Sequence, residues 1–156
     1  MSLFVGNILN CILVLVAWSC VALVLLYVYR LPAIFKLKLN PKKVAVKNTE
    51  EFHREISKLP AEVIQVGDNY NHLMEQPTLY YAMIVYIYLY EEGKYRSDSS
   101  LLVLAWSYVA LRIVHSLIQM FYNEVPLRFA VFALSSVALV GMVGKLLMSE
   151  LLRSFP

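Results

Sequence analysis

The sequence predicts an all-α membrane protein, a bundle of four transmembrane helices in a single domain over residues 1–156. Three observations predict it. Hydrophobic residues make up 60% of the chain and charged residues 16%, whereas soluble domains are roughly 45–50% apolar. The mean hydropathy is +0.61. The apolar residues gather in long runs separated by short polar connections, and 156 residues suffice for four such runs and nothing more.

The first run, residues 3–29, exceeds the roughly 20 residues needed to cross a bilayer. It lacks the basic start and the small-x-small cleavage site of a signal peptide. Tyr27 and Tyr29, near its end, suit a membrane interface. Cys11 and Cys20 both lie in this run. Nine positions apart on a helix, they point to opposite faces about 13 Å apart along the axis, which excludes a disulfide between them.

Residues 30–60 form a basic segment with Arg30, Lys36, Lys38, Lys42, Lys43, Lys47, Arg54 and Lys58. By the positive-inside rule it stays cytoplasmic. Its charges read first as a topology signal, and second as a means of binding anionic head groups or an anionic substrate. Pro32 and Pro41 are expected to break the segment. Thr49, Glu50 and Glu51 mark the start of a short helix over 50–58. The net charge is a modest +3. No recognised nucleic-acid motif accompanies the basic residues, which sit beside membrane spans.

A second span is expected over 61–90, polar in its first third and apolar beyond, with a bend at Pro77. A short polar turn at 91–99 leads to a third span over 100–122. Asn123 to Pro126 then turns the chain, with Pro126 at a helix start. The fourth span, 127–148, carries the small residues Ala130, Ala133, Ser136, Gly141 and Gly144, which allow close helix contact. Both termini fall outside the cytoplasm in this topology. The chain is expected to cross the membrane several times, with the basic loop cytoplasmic.

The chemistry concentrates in two polar stripes. Asp68, Asn71, His72 and Glu75 share one helical face at the mouth of the second span. Arg112, His115, Ser116, Gln119 and Asn123 share a face of the third. Ionisable groups in membrane segments are costly, turn inward and mark functional sites. In an antiparallel hairpin, residues at one depth have a constant sum of numbers. Glu75 with Arg112, His72 with His115, and Asp68 with Gln119 share that sum. The two stripes are therefore expected to line one polar pocket, within a subunit or across a subunit boundary. The plainer reading is a buried Arg–Glu pair that fixes helix register. His72 and His115 lack the further ligands of a metal centre, and no motif supports a nucleophilic triad. One polar layer does not make a proton path across the membrane.

NHLMEQPTLYYA at 71–82 and LAWSYVALRIVHSLIQMFYNEVPLRF at 104–129 resemble the MAPEG family, the membrane-associated proteins of eicosanoid and glutathione metabolism. The spacing of Arg112, His115 and Arg128 is the specific part, together with a Glu just before a Pro in the second helix. The resemblance implies a homotrimer of four-helix subunits that binds glutathione between neighbours, in a site open to the cytoplasm and to lipid. It implies glutathione contacts at Asn71, His72, Glu75, Arg112, His115 and Arg128, with Arg112 as the catalytic residue. A transferase or peroxidase acting on lipophilic electrophiles would follow. The alternative is a non-catalytic membrane protein that uses the scaffold for lipid binding or for association with a larger complex. The family commonly places Asn three residues before the Glu; here that residue is His72, and Asn71 is one earlier. Eicosanoid-type members often carry Tyr one turn after the His; here Gln119 stands there, with Tyr122 nearby.

Overall fold

A computed structural model of the chain describes residues 7–39, 49–90 and 99–154. These residues form five helices: α1 (Leu9–Leu37), α2 (Glu50–Ile56), α3 (Ala61–Tyr90), α4 (Ser99–Phe121) and α5 (Val125–Ser154). The expected polar turn at 91–99 lies outside the described residues except for Ser99, which opens α4.

Helix α1 starts behind Asn7, whose Oδ1 accepts from the Leu9 amide at 3.0 Å. It runs well past the expected end at residue 29 and continues through Pro32 to Leu37. That corrects the expectation of a break at Pro32. Proline there removes one bond, to the Val28 carbonyl, and apolar packing outweighs the loss. Ala33 and Ile34 sit on a small cluster of Leu39, Leu59 and Val63 that holds the last turn in place. Lys38 then ends the helix in the left-handed region at φ 50°. Pro41 lies outside the described residues.

Helix α2 begins where its sequence signal places it. The Thr49 hydroxyl accepts from the Phe52 amide at 3.1 Å, and Glu50 and Glu51 occupy the first turn, where negative charge complements the helix dipole. Helix α3 spans 61–90 without interruption, and Pro77 is buried inside it. Helix α4 ends in a tight turn. Asn123, at φ 49°, donates its amide to the Ile118 carbonyl at 2.7 Å, a left-handed conformation that asparagine tolerates. Helix α5 starts at Val125 with Pro126 in its first turn, and extends six residues past the expected end at 148.

Packing follows the buried stripes. Val66, Asn69, Leu73, Pro77, Tyr80, Ile84 and Ile87 of α3 recur every three or four residues and are buried, which makes one continuous inward face. Helix α4 packs along α5, α1 along α3, and α4 also touches α3 and α1. Tyr80 stacks on Tyr108 with centroids 4.2 Å apart and planes 13° from parallel. The Tyr80 hydroxyl donates to the Ala105 carbonyl at 3.1 Å. Around this pair close Cys11, Leu15, Leu101, Ala105, Val109 and Met142.

Helices α1, α4 and α5 are long and apolar enough to cross a membrane, and the chain is an integral membrane protein. Helix α3 has the length, but its polar opening and Glu75, Gln76 and Pro77 dilute its apolar content. Cys11 is buried, Cys20 is exposed, and both are free thiols.

Trp18 Nε1 donates to Ser116 Oγ at 2.9 Å and joins α1 to α4. Trp18→Phe keeps the ring and removes the donor. It should lower the unfolding free energy by about 0.6–1.7 kcal/mol, the range for side-chain hydrogen bonds between membrane helices, measured by denaturant unfolding in detergent.

Candidate functional site

Arg112 sits in the middle of α4 and is 1% exposed. The groups that touch it among the described residues are uncharged. Its Nε donates to the Tyr108 hydroxyl, one turn earlier on α4, at 3.1 Å. Its Nη2 donates to Gln76 Oε1 on α3. Its guanidinium lies over the Phe132 ring of α5 at 4.9 Å and near the Tyr108 ring at 5.5 Å, within the range of cation–π attraction. Gln76 is fixed from its other end, because its Nε2 donates to Ser136 Oγ on α5 at 2.8 Å. The Ser136 hydroxyl donates onward to the Phe132 carbonyl at 2.9 Å. That arrangement determines which end of the Gln76 amide faces the arginine.

His115 lies one turn from Arg112 towards the α4–α5 turn and is buried. Its Nδ1 is 3.0 Å from the Arg128 carbonyl. A carbonyl oxygen only accepts, so Nδ1 carries the proton, and in the neutral ring Nε2 is an acceptor. The ring meets His72 of α3 edge-on at 6.2 Å and Phe132 at 5.7 Å. The Arg128 side chain is half-buried and donates to Asn123 Oδ1 at 2.8 Å, so the αL asparagine that turns the chain also holds the second arginine.

The α3 stripe faces the other way from the expected pocket. Asp68, Asn71 and Glu75 are exposed on the outside of the single chain, and the Glu75 side chain is 69% exposed. Its neighbour is His72, whose Nδ1 is 3.7 Å from Glu75 Oε2. Within one chain these three therefore do not face the α4 stripe, whereas His72 meets His115 on α4. Arg112 meets Gln76, the residue after Glu75. The depths agree to within one residue, but one residue on a helix is a rotation of about 100°, enough to turn a carboxylate from the seam to the surface.

The six residues expected at the site thus fall into two groups. Arg112, His115 and Arg128 gather where α4 and α5 meet. Asn71 and Glu75 lie on the outer face of α3, with His72 between the groups. Gln76, Tyr108 and Phe132, which surround the guanidinium, and Ser136, which anchors Gln76, were not among the expected residues. The heptad-like spacing of Leu73, Tyr80 and Ile84 was the signal that could have placed Gln76 near the inward face.

The sequence model of the MAPEG family matches residues 8–148. No curated protein and no solved structure matches the chain.

Gln76→Leu removes the polar partner that Arg112 has on another helix among the described residues. It should cost about 1–3 kcal/mol, the penalty for leaving a buried donor unpaired, read as a drop in thermal midpoint in detergent. Ser136→Ala should cost less, because Gln76 Oε1 stays on the guanidinium.

Proposed function

Because the chain belongs to the MAPEG family, we propose that it is a glutathione-dependent transferase or peroxidase of the membrane, acting on lipophilic electrophiles. That family includes glutathione transferases and peroxidases. One observation carries the reading: Arg112 is a buried cation whose contacts among the described residues are neutral. A buried charge without a counter-charge costs several kcal/mol, and an anionic ligand would offset that cost.

Glutathione brings two carboxylates and a thiol that can ionise. Gln76 and Phe132 cover the guanidinium and are both only half-buried, so in this reading they give way and an anionic group takes the place of the Gln76 amide. A thiol with an ordinary pKa near 8.5 ionises more readily beside a cation, which gives Arg112 its catalytic role. The thiolate sulfur then bonds to the electrophilic carbon, and the displaced electron pair departs with the leaving group. Arg128 provides a second fork for a carboxylate. Glu75 suits the ligand's ammonium, with Asn71, His72 and His115 as further contacts.

The outer face of α3 fits a homotrimer. Helix α3 packs along α1 and α4, and in this reading it crosses with the three apolar helices as a four-helix subunit. Asp68, Asn71 and Glu75 would then face lipid unless a neighbouring subunit covers them. Such a neighbour would bring the exposed stripe of one chain beside the arginines of another. In this reading the basic loop and the open side of the site lie in the cytoplasm, at a bacterial inner membrane.

A second reading has its own observation. Gln76, Tyr108 and Phe132 already close over Arg112, which favours a non-catalytic member that serves lipid binding or association with a larger complex.

Calorimetric titration of glutathione, with thiolate absorbance recorded in parallel, separates the two. The first reading expects binding with thiolate formation. It also expects a loss of about tenfold to a hundredfold in affinity for Arg112→Ala, from the roughly 1.5–3 kcal/mol of a hydrogen bond to a charged group. Absence of binding to the parent protein sinks it. Binding without conjugation of a general electrophile supports the second.

A further inference from the structure

Five buried polar atoms have no hydrogen-bond partner among the described residues, and they belong to three side chains: Nδ2 and Oδ1 of Asn69, Nε2 and Oε1 of Gln119, and Nε2 of His115. Asn69 is 0% exposed and Gln119 is 1% exposed. Buried polar groups in native proteins are almost always satisfied by protein or by ordered water, so three such side chains together call for a ligand.

Their positions follow from the Arg112–Gln76 bond. Asn69 lies seven residues before Gln76, and Gln119 lies seven after Arg112. Seven residues are close to two helical turns, so each amide sits on the same face as its reference residue, two turns towards the α4–α5 turn. Because α3 and α4 run antiparallel, both displacements lead to one level of the seam between them. The turn in between holds the His72–His115 contact. Ser116 is on that turn as well, but its hydroxyl already accepts from Trp18.

The donor set points to one class of ligand. The two carboxamides offer both N–H donors and carbonyl acceptors. His115 Nε2 is an acceptor, because Nδ1 is committed to the Arg128 carbonyl. Neither amide carries a charge, so the level selects neither an anion nor a cation. Water both donates and accepts, and a buried water typically makes two to four hydrogen bonds.

We propose that Asn69, Gln119 and His115 build an internal water site at the loop end of the α3–α4 seam, inside each subunit. Water donates to His115 Nε2 and bridges the two amides. It enters from the loop side, because α4 ends at Phe121, two residues beyond Gln119. The site extends a hydrated layer up the seam to within one turn of Arg112, and it supports the His115 tautomer that holds the α5 backbone at Arg128. None of this depends on glutathione being the ligand at Arg112.

The direct test is an experimental structure of the full chain in lipid nanodiscs, at a resolution that shows water. Ordered density within about 2.7–3.2 Å of at least two of the three side chains is the expected result. Asn69 and Gln119 bonded to each other or to backbone, with no such density, overturns the proposal. The second measurement is the thermal midpoint of Asn69→Leu/Gln119→Leu in the same detergent as the parent. A water site predicts a fall of about 2–4 °C or more, because leucine excludes the water and strands His115 Nε2. A dry pair of unsatisfied amides predicts a rise, since apolar replacement relieves it, and a rise overturns the proposal. If the double variant does not fold, the single Gln119→Met is judged by the same two directions.

Discussion

A full positive charge inside an apolar bundle is the constraint on which the rest of this structure depends. Arg112 is held by an amide from α3, a phenol from its own helix and an aromatic face from α5. Those contacts make three helices agree on one register. Gln76 reaches Arg112 only if α3 is turned so that its Leu73–Tyr80–Ile84 face packs inward. The same rotation stacks Tyr80 on Tyr108 and places the Tyr80 hydroxyl on the Ala105 carbonyl. From α5, Ser136 anchors the amide and Phe132 covers the guanidinium. The polar centre and the hydrophobic core are thus one device, since each contact that feeds the charge also sets an apolar interface.

That arrangement leaves the cation solvated by dipoles and ring faces, with no opposing charge against it among the described residues. Dipoles reduce the cost of burial without neutralising the charge, and the residual field is what an incoming anion would meet. The acids of the neighbouring stripe stay on the outer face of α3, away from Arg112. A carboxylate in place of Gln76 would make a closed ion pair; the amide makes a cation that is structurally held and electrostatically open.

Much of this was legible in the sequence, and the failures have definite causes. Helix α3 was legible at 61–90 from its polar opening and the long apolar run beyond it, and the Thr49-Glu50-Glu51 signal marks the start of α2. Arg112 and His115 stood out because few charges interrupt the third run, whereas Arg128 came only with the family resemblance. The end of α1 lies beyond the expected one because a proline that usually breaks a helix is outweighed here: Ala33 and Ile34 have packing partners far away in sequence, at Leu59 and Val63. The orientation of α3 was missed for a different reason. Periodicity shows which residues share a face, but not which of two faces turns inward. Asp68, Asn71, His72 and Glu75 form one consistent stripe, and Val66, Leu73, Tyr80 and Ile84 form another. The rule that ionisable groups avoid lipid favoured the first for the interior. Packing volume favoured the second, and in the single chain packing won.

The central claim is that Gln76 leaves the charge of Arg112 available to an anion. Thermal unfolding of the parent and of Gln76→Glu, each with and without glutathione, tests it most directly. The claim predicts a ligand-induced rise in midpoint for the parent. It predicts a higher midpoint for Gln76→Glu without ligand, and no further rise when glutathione is added, because the new carboxylate occupies the guanidinium. A parent that does not respond to glutathione, or a Gln76→Glu variant that loses stability and keeps the full ligand response, would contradict it.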